Sequence, residues 1–462
     1  MKTTIAPQGR GARSRLVAGV GALALLAGPA AAQDLFLPPG EDDRFAWDSL
    51  DAFAEAHDFG GETLTITGPW TGEDARMVGR IMAYFTHATG AEVSYTGSDS
   101  FEQDIVISAQ AGSAPNIAVF PQPGLAADMA ARGFLTPLAD GTDDWVSATY
   151  AAGDDWVQLA TFAGPNGQEA LYGLFYKVDV KSLVWYSPDA FEEMGYDIPT
   201  SMEDLKALTE AIVADGGTPW CIGLGSGAAT GWPATDWVED MMLRIAEPEV
   251  YDGWVDNSVA FDDATVIEAI ELYGHFARND DFVRGGSQAV ATTDWRDAPS
   301  GLFNFPPDCY MHKQASFIPT FFPDGLEYGL DYDFFYFPAF DERDLGEPVM
   351  GAGTMWAITE DAPVAHGLIE FLKTPIAHEL WMAQSGFLTP HQEVNLDTFA
   401  SEALRGINEI LLDATVFRFD ASDLMPGEIG AGAFWTGMVD YTTGTPAEDV
   451  AAEIQARWDA MR

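Results

Sequence analysis

The chain is expected to be an α/β protein of two lobes joined by a hinge, each lobe a mostly parallel sheet flanked by helices. Three observations predict this. Short apolar runs alternate with amphipathic segments of helical period from residue 63 to 132, and strand–helix–strand alternation builds a parallel sheet covered by helices. A length of 462 residues at 47% hydrophobic suffices for about two domains with cores of their own. Further strand-like runs lie far apart, at 174–186, 334–340 and 387–390. Repeated crossings of that kind join two halves around a hinge.

Lys2, Arg10, Arg13 and Arg15 precede an apolar run over 16–27, and Ala30–Ala32 offer a small-residue cleavage site before Gln33. Residues 1–32 therefore read as a secretory signal peptide, its apolar core too short to span a bilayer. Residues 33–61 form an N-terminal extension with an amphipathic stretch over 41–59. Strands are expected at 63–67 (TLTIT), 93–95 and 116–120, and helices at 74–89, 101–111 and from Pro123 to Arg132. Ligands of such sheets sit at the carboxyl ends of the strands, where the loop 68–73 and the turn 121–124 lie. The run 174–186 (LFYKVDVKSLVWY) is a first crossing, followed by a helix from Pro188. The next helix opens at Thr200-Ser201-Met202-Glu203, a plausible cap, and runs to Ala214; others are expected near 237–245 and 264–277. Gly351-Ala352-Gly353-Thr354 reads either as a tight turn or as backbone brought close to a cleft.

Composition excludes some partners. The net charge is −50, from 22 basic and 72 acidic residues, and −54 without the four basic residues of the leader. Such a chain repels nucleic acid and anionic lipid, whereas a neutral or cationic small ligand is compatible with the field. No later segment is a membrane span. Cys221 and Cys309 fit one structural disulfide in an oxidising compartment; two buried thiols are the alternative.

The stretch 219–237, PWCIGLGSGAATGWPATDW, sets Trp220, Trp232 and Trp237 among glycines, with Asp236 beside the last indole. Helices and strands avoid so much glycine, and loops that admit a ligand to the backbone use it. A flat indole beside a carboxylate suits a sugar, with its apolar C–H face and rim of hydroxyls. Core packing explains Trp220 and Trp237 equally well, and Trp232 less well.

Long motifs in order then carry a resemblance. KSLVWYSP (181–188), PWCIGLGSGAATGWPATDWVED (219–240), PPDCYMHKQASFIPTFFP (306–323), LKTPIAHELWM (372–382) and FRFDASDLMPGEIGAGAFWTGMVDY (417–441) resemble the extracellular solute-binding proteins of bacterial carbohydrate ABC importers. That family includes maltose-binding protein, and the similarity is to its alpha-glucoside-binding branch. The resemblance implies a type II periplasmic binding protein fold, with residues 62–178 and 345–388 in one lobe and 179–344 and 389–462 in the other. It implies a monomer in the periplasm that closes on a sugar and docks on the transmembrane subunits of a permease, without cofactor, metal or catalysis. In the first lobe it points to Trp70 and Glu73, with Asp74 as the alternative, and to Gln122. Lys181 lies near the first crossing, where an ion pair with Asp179 is an equally good reading. In the second lobe it points to Gly231, Trp232, Asp236, an aromatic floor at Phe321 or Phe322, and the stacking pair Phe434–Trp435. Gly353 would approach the cleft, and Arg418 would contact hydroxyls or pair with Asp420.

Enzyme readings are weaker. Residues 223–228 fit only a relaxed dinucleotide fingerprint, and His378-Glu379 lacks a second histidine at zinc-protease spacing. A glycoside hydrolase using paired carboxylates beside tryptophans is the cross-class alternative, and a polyamine receptor, which needs an acidic cleft, is the alternative among binding proteins.

Overall fold

The first lobe is organised by strands β1 (Thr63–Gly68), β2 (Glu92–Gly97) and β3 (Ile117–Phe120), which alternate with helices Gly72–Thr89, Phe101–Gln110 and Pro123–Ala131. In the computed structural model, residues 35–461 are described apart from 152, 385, 386, 414 and 415; the expected leader and its cleavage near Ala32 lie outside them. A small hairpin of β4 (Thr161–Ala163) and β5 (Glu169–Leu171) precedes β6 (Gly173–Val180) and β7 (Leu183–Tyr186). The remaining strands are β8 (Met311–Lys313), β9 (Asp333–Tyr336), β10 (Pro348–Ile358) and β11 (Val416–Phe419). The main sheet has the order β11-β10-β3-β1-β2, with β6 also on β10. β1 runs parallel to β2 and β3, and β10 parallel to β11 but antiparallel to β3 and β6. In the second lobe's small sheet the strands β8-β7-β9 pair antiparallel, and Trp220 adds parallel bridges to Met311 of β8 and to Val283.

The run expected at 174–186 breaks at Lys181-Ser182, and that break carries the chain between cores. Tyr176 and Val178 of β6 pack in the first lobe's core, and Val184 and Tyr186 of β7 in the second's. The crossing is tied to β10 by Lys181 N–H to the Met350 carbonyl at 2.8 Å. Met350 N–H returns a bond to the Ser182 hydroxyl at 2.9 Å, and that hydroxyl donates to Asp240 at 2.7 Å.

β10 corrects the reading of Gly351–Thr354 as a turn. It is a central strand buried at every position. Its glycines make room for neighbours: a Cβ at Gly351 would run into the Phe417 ring, and one at Gly353 would lie 3.0 Å from Phe175. The third crossing is also placed differently. Only an isolated bridge joins Leu388 to Val178, and the following residues stay on the first lobe, with Thr389 against His378 and Asn395 bonded to Arg44. Leu404 and Ile407 then pack with Leu183, Trp185 and Cys221 of the second lobe, and after β11 Ala421, Met425, Ile429, Met438 and Ile454 enter its main core.

Cys221 and Cys309 form the expected disulfide, Cα atoms 5.5 Å apart, closing a separation of 88 residues. Among the described residues no helix is long and apolar enough to cross a membrane.

The same corner holds a pH-sensitive group. His312 of β8 is buried, and Nδ1–H donates to the Cys221 carbonyl at 2.7 Å, which leaves Nε2 without a partner. Burial, aided by the adjacent Lys313 ammonium, pushes its pKa down to about 4. A His depressed in the folded state adds stability that is present above its unfolded value and is lost as pH falls toward the folded one. Between pH 6.5 and 4 this group should therefore remove about 3 kcal/mol. Urea unfolding at pH 7 and pH 4.5 should show a smaller acid loss for His312→Gln than for the wild type; equal losses would mean that His312 does not report the pH.

Candidate ligand-binding site

A cavity of about 160 Å³ lies where loops of both lobes and the crossing strands converge. Trp70 follows the end of β1; its N–H donates to the Tyr95 hydroxyl at 3.0 Å and its ring packs on Trp356 and Trp381. Gln122 follows the end of β3 as the N-cap residue of helix Pro123–Ala131, and its Oε1 is buried without a partner. From the second lobe, helix Trp232–Ile245 begins at Trp232, which packs edge-on against Trp295 at 5.2 Å, and Asp236 follows one turn later. Trp435 opens helix Trp435–Thr443 with its indole N–H unpartnered.

The crossing strands supply the charges. Lys177, Asp179 and Lys181 are spaced by two, so the period of an extended chain puts all three on the cavity side. Lys177, not Lys181, takes Asp179, at 2.6 Å. Lys181 lies 2.8 Å from Asp236 and in closer contact with Asp420, and its ammonium sits 5.5 Å over the Trp232 ring. Glu239 and Asp423 are buried around the same ammonium. One cation cannot hold four buried carboxylates ionised. Burial opposes ionisation of Asp420, but Lys181 beside it keeps that carboxyl down at about 2. Burial pushes Glu239 and Asp423 well up, so they hold their protons. On the first lobe's side, burial raises Asp74 to about 6 and Glu102 to about 7.

The cavity brings together Trp70, Gln122, Lys181, Trp232, Asp236, Gly353 and Trp435 of the residues expected from sequence. Five others do not line it. Glu73 turns to Arg76 of its own helix, and Asp74 takes the place facing the cavity. Phe321 lies edge-on behind Trp295 at 4.9 Å, and Phe317 lines the wall instead. Arg418 pairs with neither ligand space nor Asp420 but bidentately with Asp252, at 2.6 and 2.9 Å. Phe434 is core, packed on Trp254 and Phe261. Gly231 backs the site: with φ of 118°, it lies so close to Trp435 that a Cβ would collide with that residue's carbonyl. Sequence reasoning missed Asp99, Glu102, Trp295, Arg296 and Asp423 among the lining residues. The rule of strand carboxyl ends could have found Asp99 and Glu102, which follow β2.

Four indoles, a free amide oxygen and carboxyls that accept hydrogen bonds make a surface for a polyhydroxylated molecule. A model of the bacterial extracellular solute-binding proteins matches residues 70–379. The chain belongs to that family. It is 58% identical over 97% of its length, and 99% of the relative's, to an alpha-glucosides-binding periplasmic protein of Rhizobium meliloti (strain 1021). It is 39% identical, over 86% of its length and 92% of the other's, to an osmoprotective compounds-binding protein of Synechocystis. Solved structures of the same fold include a solute receptor with substrate preference for galactopyranose, TM-score 0.73 at 18% identity, covering 87% of this chain and all of that one. A maltose-bound protein of T. maritima has TM-score 0.67 at 15% identity, over 87% of this chain and 100% of that one. The fold of this solute-binding protein is thus the type II periplasmic binding fold.

Proposed function

We propose that this solute-binding protein is the receptor of an ABC importer, capturing a neutral alpha-glucoside of disaccharide size between its lobes and handing it to the membrane permease. The observation that carries the reading is the convergence of Trp70, Trp232 and Trp435 with acceptor groups of both lobes on one cavity. Ligand contacts to both lobes stabilise the closed form, and binding acts by population shift without bond chemistry. The 58% identity to the alpha-glucosides-binding protein supports the ligand class. The protein would act as a periplasmic monomer after loss of its leader.

Calorimetric titration of the leader-free protein with maltose, sucrose, trehalose, glucose and putrescine tests this. Micromolar or tighter binding of one glucoside, with no product on standing, is expected. Binding of putrescine alone would move the ligand to a cationic solute, for which Asp74 and Glu102 would be the anchors. Release of glucose from a disaccharide would make the protein a hydrolase.

A further inference from the structure

Arg296 belongs to the second lobe, yet its guanidinium ends on the first. Its loop is pinned to the glycine-rich stretch by Gly225 N–H to the Thr293 carbonyl at 2.9 Å and Trp295 N–H to the Gly225 carbonyl at 3.0 Å. Arg296 N–H then donates to Asp294 at 2.9 Å, and the guanidinium lies 4.5 Å over the Trp295 ring and 5.7 Å from that of Phe321. So aimed, Nη2 donates to Asp99 Oδ1 at 2.8 Å and approaches the Thr71 hydroxyl at 3.4 Å. Asp99 and Thr71 follow β2 and β1, on the first lobe's side of the cavity. Asp99 and Arg296 both line that cavity and both reach solvent, with side chains 45% and 23% exposed.

We propose that the Arg296–Asp99 ion pair is an interlobe latch that sets how long the closed form holds its ligand. The lobes cannot separate there without breaking the pair, and the pair spans the cavity wall itself. An ion pair so exposed is ordinarily weak because two long side chains must be ordered to form it. Here the stack on Trp295 orders the guanidinium beforehand, so less freedom is lost on closing. The effect falls on dissociation, because the pair is made whenever the lobes are closed and must break before the ligand leaves. It also weakens with salt, since the pair is open to screening ions. Arg296 and Asp99 are positioning residues for closure, whatever solute lies between the lobes, so the inference rests on capture in the cleft and not on the ligand being a glucoside.

The test is stopped-flow dissociation of maltose from the leader-free wild type, Asp99→Asn, Arg296→Gln and the double variant, at 20 and 500 mM salt. Each single variant should release maltose severalfold faster at low salt and lose most of the salt dependence. The double variant should be no faster than either single one, and the reversed pair Asp99→Arg with Arg296→Asp should slow release again. Additive effects, or rates equal to wild type, would overturn the latch. If the wild type binds sucrose or trehalose instead of maltose, that sugar carries the same kinetic test; if it binds none of the three, the glucoside reading fails and ligand-free small-angle scattering decides the latch. A larger radius of gyration in Asp99→Asn than in wild type at low salt supports it, and identical radii refute it.

Discussion

Replacing Lys181 by methionine should destabilise the protein by roughly 3–5 kcal/mol, the range for leaving buried charge uncompensated. The ammonium lies between Asp236 and Asp420, from helix Trp232–Ile245 and the end of β11, with Glu239 and Asp423 beside them. All are buried. Methionine fills much the same space, so the loss is electrostatic rather than a cavity effect. Asp420, held ionised by Lys181, must then take up a proton or stay charged among acidic neighbours. The variant should recover part of its deficit as pH falls toward 4, because protonation removes the repulsion. Urea unfolding at pH 7.5 and pH 4.5 measures both. A deficit under 1 kcal/mol at pH 7.5, or one that grows on acidification, would show that Lys181 does not hold the network together. Lys181 also lines the cavity, so ligand affinity should fall as well.

Trp435→Ala should weaken glucoside binding by about 1–3 kcal/mol, or roughly 5- to 150-fold, the effect of truncating a large buried contact. Its ring lines the cavity, and Gly231 fixes its backbone from behind. Its neighbour supplies the contrast. Phe434 is fully buried against Trp254 and Phe261 and does not line the cavity. Phe434→Ala should cost about 3–5 kcal/mol of stability, as other large-to-small core changes do, while the folded protein keeps its affinity. Titration below each variant's unfolding transition separates the two effects. Unchanged affinity in folded Trp435→Ala, or a larger loss in Phe434→Ala, would reverse the roles given to these adjacent aromatics.

That contrast shows what kind of information sequence carries here. The alternation from β1 to helix Pro123–Ala131 was legible because periodicity is local, and it led to the loops 68–73 and 121–124 that carry Trp70 and Gln122. β10 was not legible. A strand buried on both faces has no alternation to read, and Gly351 and Gly353 resemble turn residues until Phe417 and Phe175 are seen against them. Glu73 and Asp74 differ only in helix phase, which the packing of helix Gly72–Thr89 decides. Charge partners are harder still, because they are chosen by tertiary approach. Arg418 finds Asp252, 166 positions away, rather than Asp420, and Lys181 passes over Asp179 for Asp236. The recurring motifs located the right loops, and only the fold told which side chain of each loop faces the cavity.

A crystal structure of the leader-free protein with the glucoside that binds most tightly in calorimetry would decide whether this cavity is the receptor site. One sugar ring should lie on the face of Trp435, with hydroxyls reaching Asp74 or Glu102 of the first lobe and Asp236 of the second or Lys181 at the crossing. A sugar bound away from Trp435, or touching one lobe only, would contradict capture by closure in this cavity.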